Sequence, residues 1–255
     1  MEGAVGRSPP PARPDNRVGL AVLAVWLASG AALWRDEAGG VLTFVFVVSG
    51  WVLAVMAHEF AHAGVAFLGG DVTVGDKGYL AFDPRRYGNL QVSLLLPLIA
   101  LALGGIGFPG GAVYLRNDLM RGPAWRSAAA LAGPAATLLV LVLLALVLLA
   151  SPPPPLYAAL AFLAFLQATA LVLNLLPVPG LDGFNALRPF LPRAWASAID
   201  RLAGMAVIAL LAAFFWVPGA SLALFGAASL IAGVFGVPHE AWIEGYRAFH
   251  FWGGL

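Results

Sequence analysis

The chain contains no cysteine. A disulfide framework and a thiolate metal site are both excluded. Charge is scarce: Asp, Glu, Lys and Arg supply 11% of the 255 residues, where about 25% is usual in a soluble domain. The formal balance is +1, so there is no basic field to hold nucleic acid. Histidine occurs at four positions, His58, His62, His239 and His250. Any metal must be held by these, by carboxylates or by water. What fills the chain instead is apolar, with 61% hydrophobic residues and a mean hydropathy of +0.87. That composition predicts an all-α polytopic membrane protein.

Residues 1–17 are rich in Pro and Arg and read as a disordered tail. Val18–Trp34 is the first apolar run. Its Ala28-Ser29-Gly30-Ala31 also admits a signal-peptide reading, against which the long Pro-rich leader favours an uncleaved anchor. Val41–Leu68, Ala128–Ala150, Leu156–Leu176, Leu202–Val217 and Ala220–Val237 follow. At about 20 residues per span, about six transmembrane helices are expected. The last pair, broken at Pro218-Gly219, reads as two short spans or one kinked one. Asp71–Phe82 has two β-prone halves around Gly75-Asp76-Lys77-Gly78 and predicts a small membrane-associated β-hairpin. Leu90–Phe108 carries Pro97, Gly104, Gly105 and Gly107 and reads as a re-entrant segment, with a kinked span as the alternative. Residues 18–237 then form one membrane domain, and Pro238–Leu255 an interfacial aromatic tail.

Charge placement chooses between these topologies. With a cytoplasmic N-terminus and a re-entrant 90–108, 13 of the 14 cationic residues lie inside and only Arg35 outside. A full crossing there would leave 6 inside and 8 outside. The positive-inside rule selects the first arrangement. It implies a multi-pass membrane protein with a cytoplasmic N-terminus, and the dominance of Leu, Ala and Val with Arg far outnumbering Lys suggests a bacterial plasma membrane.

Within Val41–Leu68 stands His58-Glu59-Phe60-Ala61-His62. Two His four apart on a helix face the same way and can share one Zn²⁺, with the Glu beside them as general base. Ionisable groups inside a membrane helix cost about 2.5–3.5 kcal/mol each and mark function by default. The candidate third ligand is Asp182, in Asn174-Leu175-Leu176-Pro177-Val178-Pro179-Gly180-Leu181-Asp182-Gly183. His58 lies 17 residues beyond Val41, and Asn174 17 beyond Tyr157. Both therefore sit roughly 26 Å into their spans. Past Asn174 the prolines break the helix, so the unwound chain can return Asp182 to that depth. Three ligands leave an open position for water, whose pKa zinc lowers to about 7. Asn174 could offer an amide to an oxyanion, or simply cap its helix. His239 and His250 read as interfacial residues of the aromatic tail.

These paired motifs, with Ala132-Gly133-Pro134 opening the intervening helix, resemble the site-2 protease family of intramembrane zinc metalloproteases. The likeness runs from about residue 41 to 190. It implies that His58, His62 and Asp182 bind one zinc, that Glu59 is catalytic, and that Asn174 occupies a family position of less defined role. It further implies a membrane-protein substrate cut in or near a transmembrane segment, with the 71–82 hairpin taking substrate as an added strand. No PDZ-like insertion or regulatory domain is visible, so a minimal member is expected. The competing functions are a membrane zinc transporter of the ZIP type, in which an H-E-x-x-H-like motif also occurs, and a catalytically inactive membrane scaffold.

Overall fold

A computed structural model describes residues 15–35, 37, 39–87, 101, 113–217 and 219–253. Residues 1–14 of the proposed 1–17 tail and nearly all of the proposed re-entrant segment at 90–108 lie outside the described residues, and Arg17 begins the first helix. The elements are α1 (Arg17–Trp34), α2 (Gly40–Gly69), α3 (Thr73–Asp76), a 3₁₀ turn (Pro84–Arg86), α4 (Pro123–Leu149), α5 (Pro154–Leu175), α6 (Asp182–Leu187), a second 3₁₀ turn (Arg188–Phe190), α7 (Arg193–Asp200), α8 (Ala203–Trp216), α9 (Ala220–Val234) and α10 (His239–Phe249).

Proline and glycine set the boundaries. Pro123 and Pro154 occupy first-turn positions of α4 and α5, where the missing N–H costs nothing. Gly70 closes α2 in the left-handed region at φ 118°, with its N–H donating to the Phe67 carbonyl. α5 stops at Leu176, whose extended backbone is what a following proline demands.

α5 is the central helix. Of its apolar window, 89% is buried, against 17% for α1. Ala158, Ala159, Ala161, Ala164, Ala168 and Ala170 are all buried, and such small side chains let helices approach closely where lipid removes the hydrophobic drive to associate. Around α5 stand α2, α4, α9 and α10. α10 reaches it through Gly245, whose Cβ position would run into the Ala158 carbonyl. Trp242 of α10 stacks on Phe165 with ring centroids 3.8 Å apart and planes 4° off parallel. The C-terminal residues thus pack onto the bundle: Phe249 is fully buried and stacks on Phe44 of α2.

The span count differs from the expected six. Four helices, α1, α2, α4 and α5, are long and apolar enough to cross a membrane, and α7 with α8 would make a fifth only as a pair bent by 54°. α8 does not travel along α5. Its Val207, Leu210, Leu211 and Phe214 gather about Leu173 and Leu176, at the C-terminal end of α5. From there the contacts step along α5 through Leu173–Leu224, Phe165–Phe225 and Phe162–Tyr246 to Ala158–Gly245. The chain after Gly219 therefore runs opposite to α5, and α8 and α9 are not two full crossings. This carries Arg247 to the end of the bundle that holds Arg35.

The expected hairpin is absent too, and no strand occurs among the described residues. The β-prone Val72-Thr73-Val74 is captured by Asp71, whose Oδ1 accepts from the Thr73 N–H (3.1 Å) and hydroxyl (2.6 Å). That local side-chain competition starts α3 instead of a strand. The would-be hairpin turn becomes the end of α3, with Gly78 at φ 74°. The other Asp71 oxygen accepts from the Arg116 N–H at 2.7 Å and fastens the segment after the undescribed stretch. Next in the chain, Phe82 meets α1: its carbonyl accepts from the Gly19 N–H at 3.1 Å, and its N–H donates to Asn16 Oδ1 at 2.9 Å. Arg85, hydrogen-bonded to both Asp83 oxygens, holds that carboxyl below its ordinary range.

Gly245 tests the role of close approach. Gly245→Leu is expected to overpack the α5–α10 contact and cost about 1–3 kcal/mol. Gly226→Ala, with open space around it, is expected to gain about 0.5–1 kcal/mol from reduced backbone freedom. Thermal unfolding of the two variants in detergent compares them, and equal melting temperatures would contradict this packing.

Candidate metal centre

α2 presents His58, Glu59 and His62 on a buried face near its C-terminal end. Burial of three ionisable groups there requires partners. α4 supplies them at a matching period. Ala129, Gly133 and Thr137 recur every four residues along one face of α4, as His58 and His62 do on α2. The Ala129 carbonyl lies 2.6 Å from His62 Nδ1, and Thr137 Oγ1 lies 2.9 Å from His58 Nδ1. A carbonyl can only accept, so His62 carries its proton on Nδ1 and its Nε2 lone pair faces inward. A hydroxyl can accept or donate, so Thr137 alone does not fix His58.

Gly133 sits between these two partners. A Cβ there would lie 2.5 Å from His58 Nε2 and would collide with His62 Nε2. The space in front of both ring nitrogens therefore exists because residue 133 has no side chain. Sequence reasoning placed Gly133 and Pro134 at the opening of the intervening helix and missed Ala129 and Thr137. The four-residue spacing about Gly133 was the available signal.

Asp182 reaches the same space from the far side. After Leu176 the chain is broken by Pro177 and Pro179, turns at Gly180 (φ 97°), and enters α6 at Asp182. Gly183 lets that helix rest on the end of α5, since a Cβ there would lie 2.7 Å from the Leu176 carbonyl and clash with that of Leu175. Asp182 Oδ2 lies 3.1 Å from His58 Nε2 and 3.4 Å from His62 Nε2, and the two Nε2 atoms are 3.0 Å apart. Tetrahedral zinc with bonds of about 2.0–2.1 Å places its ligand atoms about 3.3 Å from one another. The donor set, its spacing and the side-chain-free wall at Gly133 all fit that ion. Asp182 Oδ2 is moreover buried without a hydrogen-bond donor. Among the described residues this is the one group of three such side chains able to share a metal. A conduction path of successive ligand sites, which transport would require, is not found among them.

Glu59 is buried, and its Oε2 accepts from the Val113 N–H at 3.2 Å. Asn174 is buried and lines a small cavity beside His58 and Thr137. His239 and His250 lie on and just after α10, where they pack against Trp242 and Tyr246.

Comparison with known proteins bears on the same chemistry. The chain is 41% identical over 230 residues to a protein of Mycobacterium tuberculosis named "Putative zinc metalloprotease Rip2", covering 89% of this chain and 87% of that one. A protein of the same name from Mycolicibacterium smegmatis is 46% identical over 180 residues, 68% of this chain and 69% of its own. No family model matches, and no solved structure matches. Relatedness of this extent, over most of both chains, supports a zinc metalloprotease and does not favour a transporter or scaffold: the chain belongs to the site-2 protease family of intramembrane zinc metalloproteases.

Proposed function

We propose that His58, His62 and Asp182 hold the zinc and that Glu59 moves the proton as the enzyme hydrolyses a peptide bond in or beside a transmembrane segment of a membrane-protein substrate. One observation carries this reading: two Nε2 atoms and a carboxylate oxygen converge within 3.4 Å, with nothing but a backbone glycine between them and α4.

Bound zinc supplies a Lewis acid that lowers the pKa of water to about 7 and polarises the scissile carbonyl. Glu59, adjacent to His58 on α2, takes the proton of the attacking water. It later passes that proton to the departing amine. The Val113 N–H holds one Glu59 oxygen and so orients the carboxylate. Asn174 offers its amide N–H to the oxyanion that forms on the former carbonyl. The Ala129 carbonyl keeps His62 turned with Nε2 inward throughout. A substrate helix hides its peptide bonds, so the scissile segment must unwind before it reaches this centre.

The reading extends to the membrane. The enzyme sits in the cell membrane with its N-terminus cytoplasmic, and the metal centre lies toward the cytoplasmic end. The loops at that end carry Lys77, Arg85, Arg86, Arg116, Arg121, Arg188 and Arg201, whereas Arg35 and Arg247 lie at the other.

Three outcomes are expected. Glu59→Gln retains one zinc per chain by metal analysis and loses cleavage of single-span substrates by at least about a hundredfold, the scale of general acid–base catalysis; normal turnover by this variant would remove Glu59 from the mechanism. Gly133→Ala fills the metal's position, so zinc affinity falls by at least about tenfold while the protein still elutes as a folded species; full zinc content would refute the assigned cradle. Because the chain has no cysteine, single thiols report orientation without background. Ser151→Cys should react with an impermeant maleimide on intact cells, and Asp118→Cys only after permeabilisation. The reverse pattern would invert the topology.

A further inference from the structure

The tautomer of His58 is left open by its protein contacts. If the Thr137 hydroxyl donates to Nδ1, the ring proton sits on Nε2. His58 would then donate from Nε2 to His62 Nε2, 3.0 Å away. That pattern satisfies both rings and closes the metal position. For His58 to ligate, Nδ1–H must donate to Thr137 Oγ1. The Thr137 proton then needs an acceptor of its own.

The usual acceptor is a carbonyl one turn back in the same helix. Ser29, Ser49 and Thr169 each make that bond, to Val25, Val45 and Leu166. Thr137 does not: among the described residues its partner is His58 alone. On its other side is a cavity of about 20 Å³ lined by Trp51, His58, Thr137, Gln167 and Asn174 among aliphatic residues. About 10–15 Å³ accommodates one water molecule, provided the walls offer it two to four polar partners. Gln167 Nε2 and Trp51 Nε1 are buried with no hydrogen-bond partner. Gln167 is 1% exposed, in the middle of the most buried helix of the bundle. An unpaired amide in that position costs about 1–3 kcal/mol.

Three otherwise unexplained groups therefore face one water-sized space. We infer that this cavity is a built water site, in which a water accepts from the Trp51 indole N–H and from the Thr137 hydroxyl and donates to the Gln167 amide, turned so that its oxygen faces the cavity, and so commits His58 to the tautomer whose Nε2 is free for the metal. Gln167 and Trp51 are positioning residues that act on the zinc through Thr137 and His58. The inference rests on the proposed role of His58 as a zinc ligand.

Two readouts test it. In X-ray hydroxyl-radical footprinting of the metal-free protein in detergent, bound water generates radicals where it resides. Trp51 is expected to be oxidised despite its burial, and Gln167→Leu to abolish that oxidation. Trp51 oxidation that is absent, or unchanged in Gln167→Leu, overturns the water site independently of zinc. In chelator competition, Gln167→Leu and Thr137→Val are expected to bind zinc about 10–100-fold more weakly. Thr137→Ser, which keeps the hydroxyl, should bind as the native chain does. Trp51→Phe, which retains most of the volume, should shift affinity in the same direction. Native affinity in both Gln167→Leu and Thr137→Val refutes the relay. Asp182→Asn separates the two readings. If it loses zinc while those variants do not, only the relay fails; if it keeps zinc, the ligand assignment itself fails.

Discussion

Two imidazole nitrogens and a carboxylate oxygen pointed at one another are an arrangement that a shared cation resolves. His58 Nε2, His62 Nε2 and Asp182 Oδ2 stand 3.0–3.4 Å apart inside a bundle with little else to neutralise them. In a medium without free water, each unpaired acceptor costs several kcal/mol. The rest of the bundle is arranged to make that convergence possible and to keep protons out of its centre. α4 accomplishes both with one face. Its Ala129 carbonyl draws the His62 proton outward, Thr137 does so for His58 once its own proton is led away, and Gly133 leaves the centre open. The four-residue period of α4 matches that of α2, so one face of each helix can make all three contacts.

Delivery of the carboxylate is a separate problem. At the depth of the imidazoles α5 carries Asn174, not a carboxylate. The chain instead ends α5 at a proline, turns twice and brings Asp182 back at the start of a new helix. Gly180 and Gly183 are the positions where this return is tightest. At the first, φ of 97° excludes most side chains, and at the second the backbone of α6 touches the carbonyls that end α5. The same crowding explains why the motif reads Pro-x-Pro-Gly-x-Asp-Gly: each restricted residue stands where the returning chain has least room.

The sequence reveals those features that depend on residue type and short spacing. H-E-x-x-H places two imidazoles on one face of any helix, whatever surrounds it, and the proline-rich break before Asp182 declares itself in the same way. The features that escaped depend on contacts between distant segments or on competition between nearly equal local states. Val72-Thr73-Val74 has strand propensity, but a single carboxylate, Asp71, offers both Thr73 donors a bond and the segment coils. Leu202–Val217 has the apolarity of a span, but its side chains find Leu173 and Leu176 at the end of α5, so it does not extend along that helix. Ala129 contributes a backbone carbonyl that every residue possesses, so only its four-residue spacing from Gly133 marks it.

Metal binding and folding are coupled in such a site. The ligands are held close by contacts on their outer sides, so removing the ion leaves the lone pairs opposed while the helices around them remain packed. The least costly relief is a proton shared between the two imidazoles, which the 3.0 Å Nε2 separation permits. That relief requires the Thr137 hydroxyl to reverse direction. If His58 ligates zinc as proposed, the metal-free protein is a competing hydrogen-bonded state, in which the His58 proton on Nε2 must move to Nδ1 before zinc enters. Anything that stabilises the donating orientation of Thr137 weakens metal affinity, and anything that draws its proton toward Gln167 strengthens it. A polar residue buried in the middle of α5, several positions from any ligand, thereby acquires leverage over the ion without touching it.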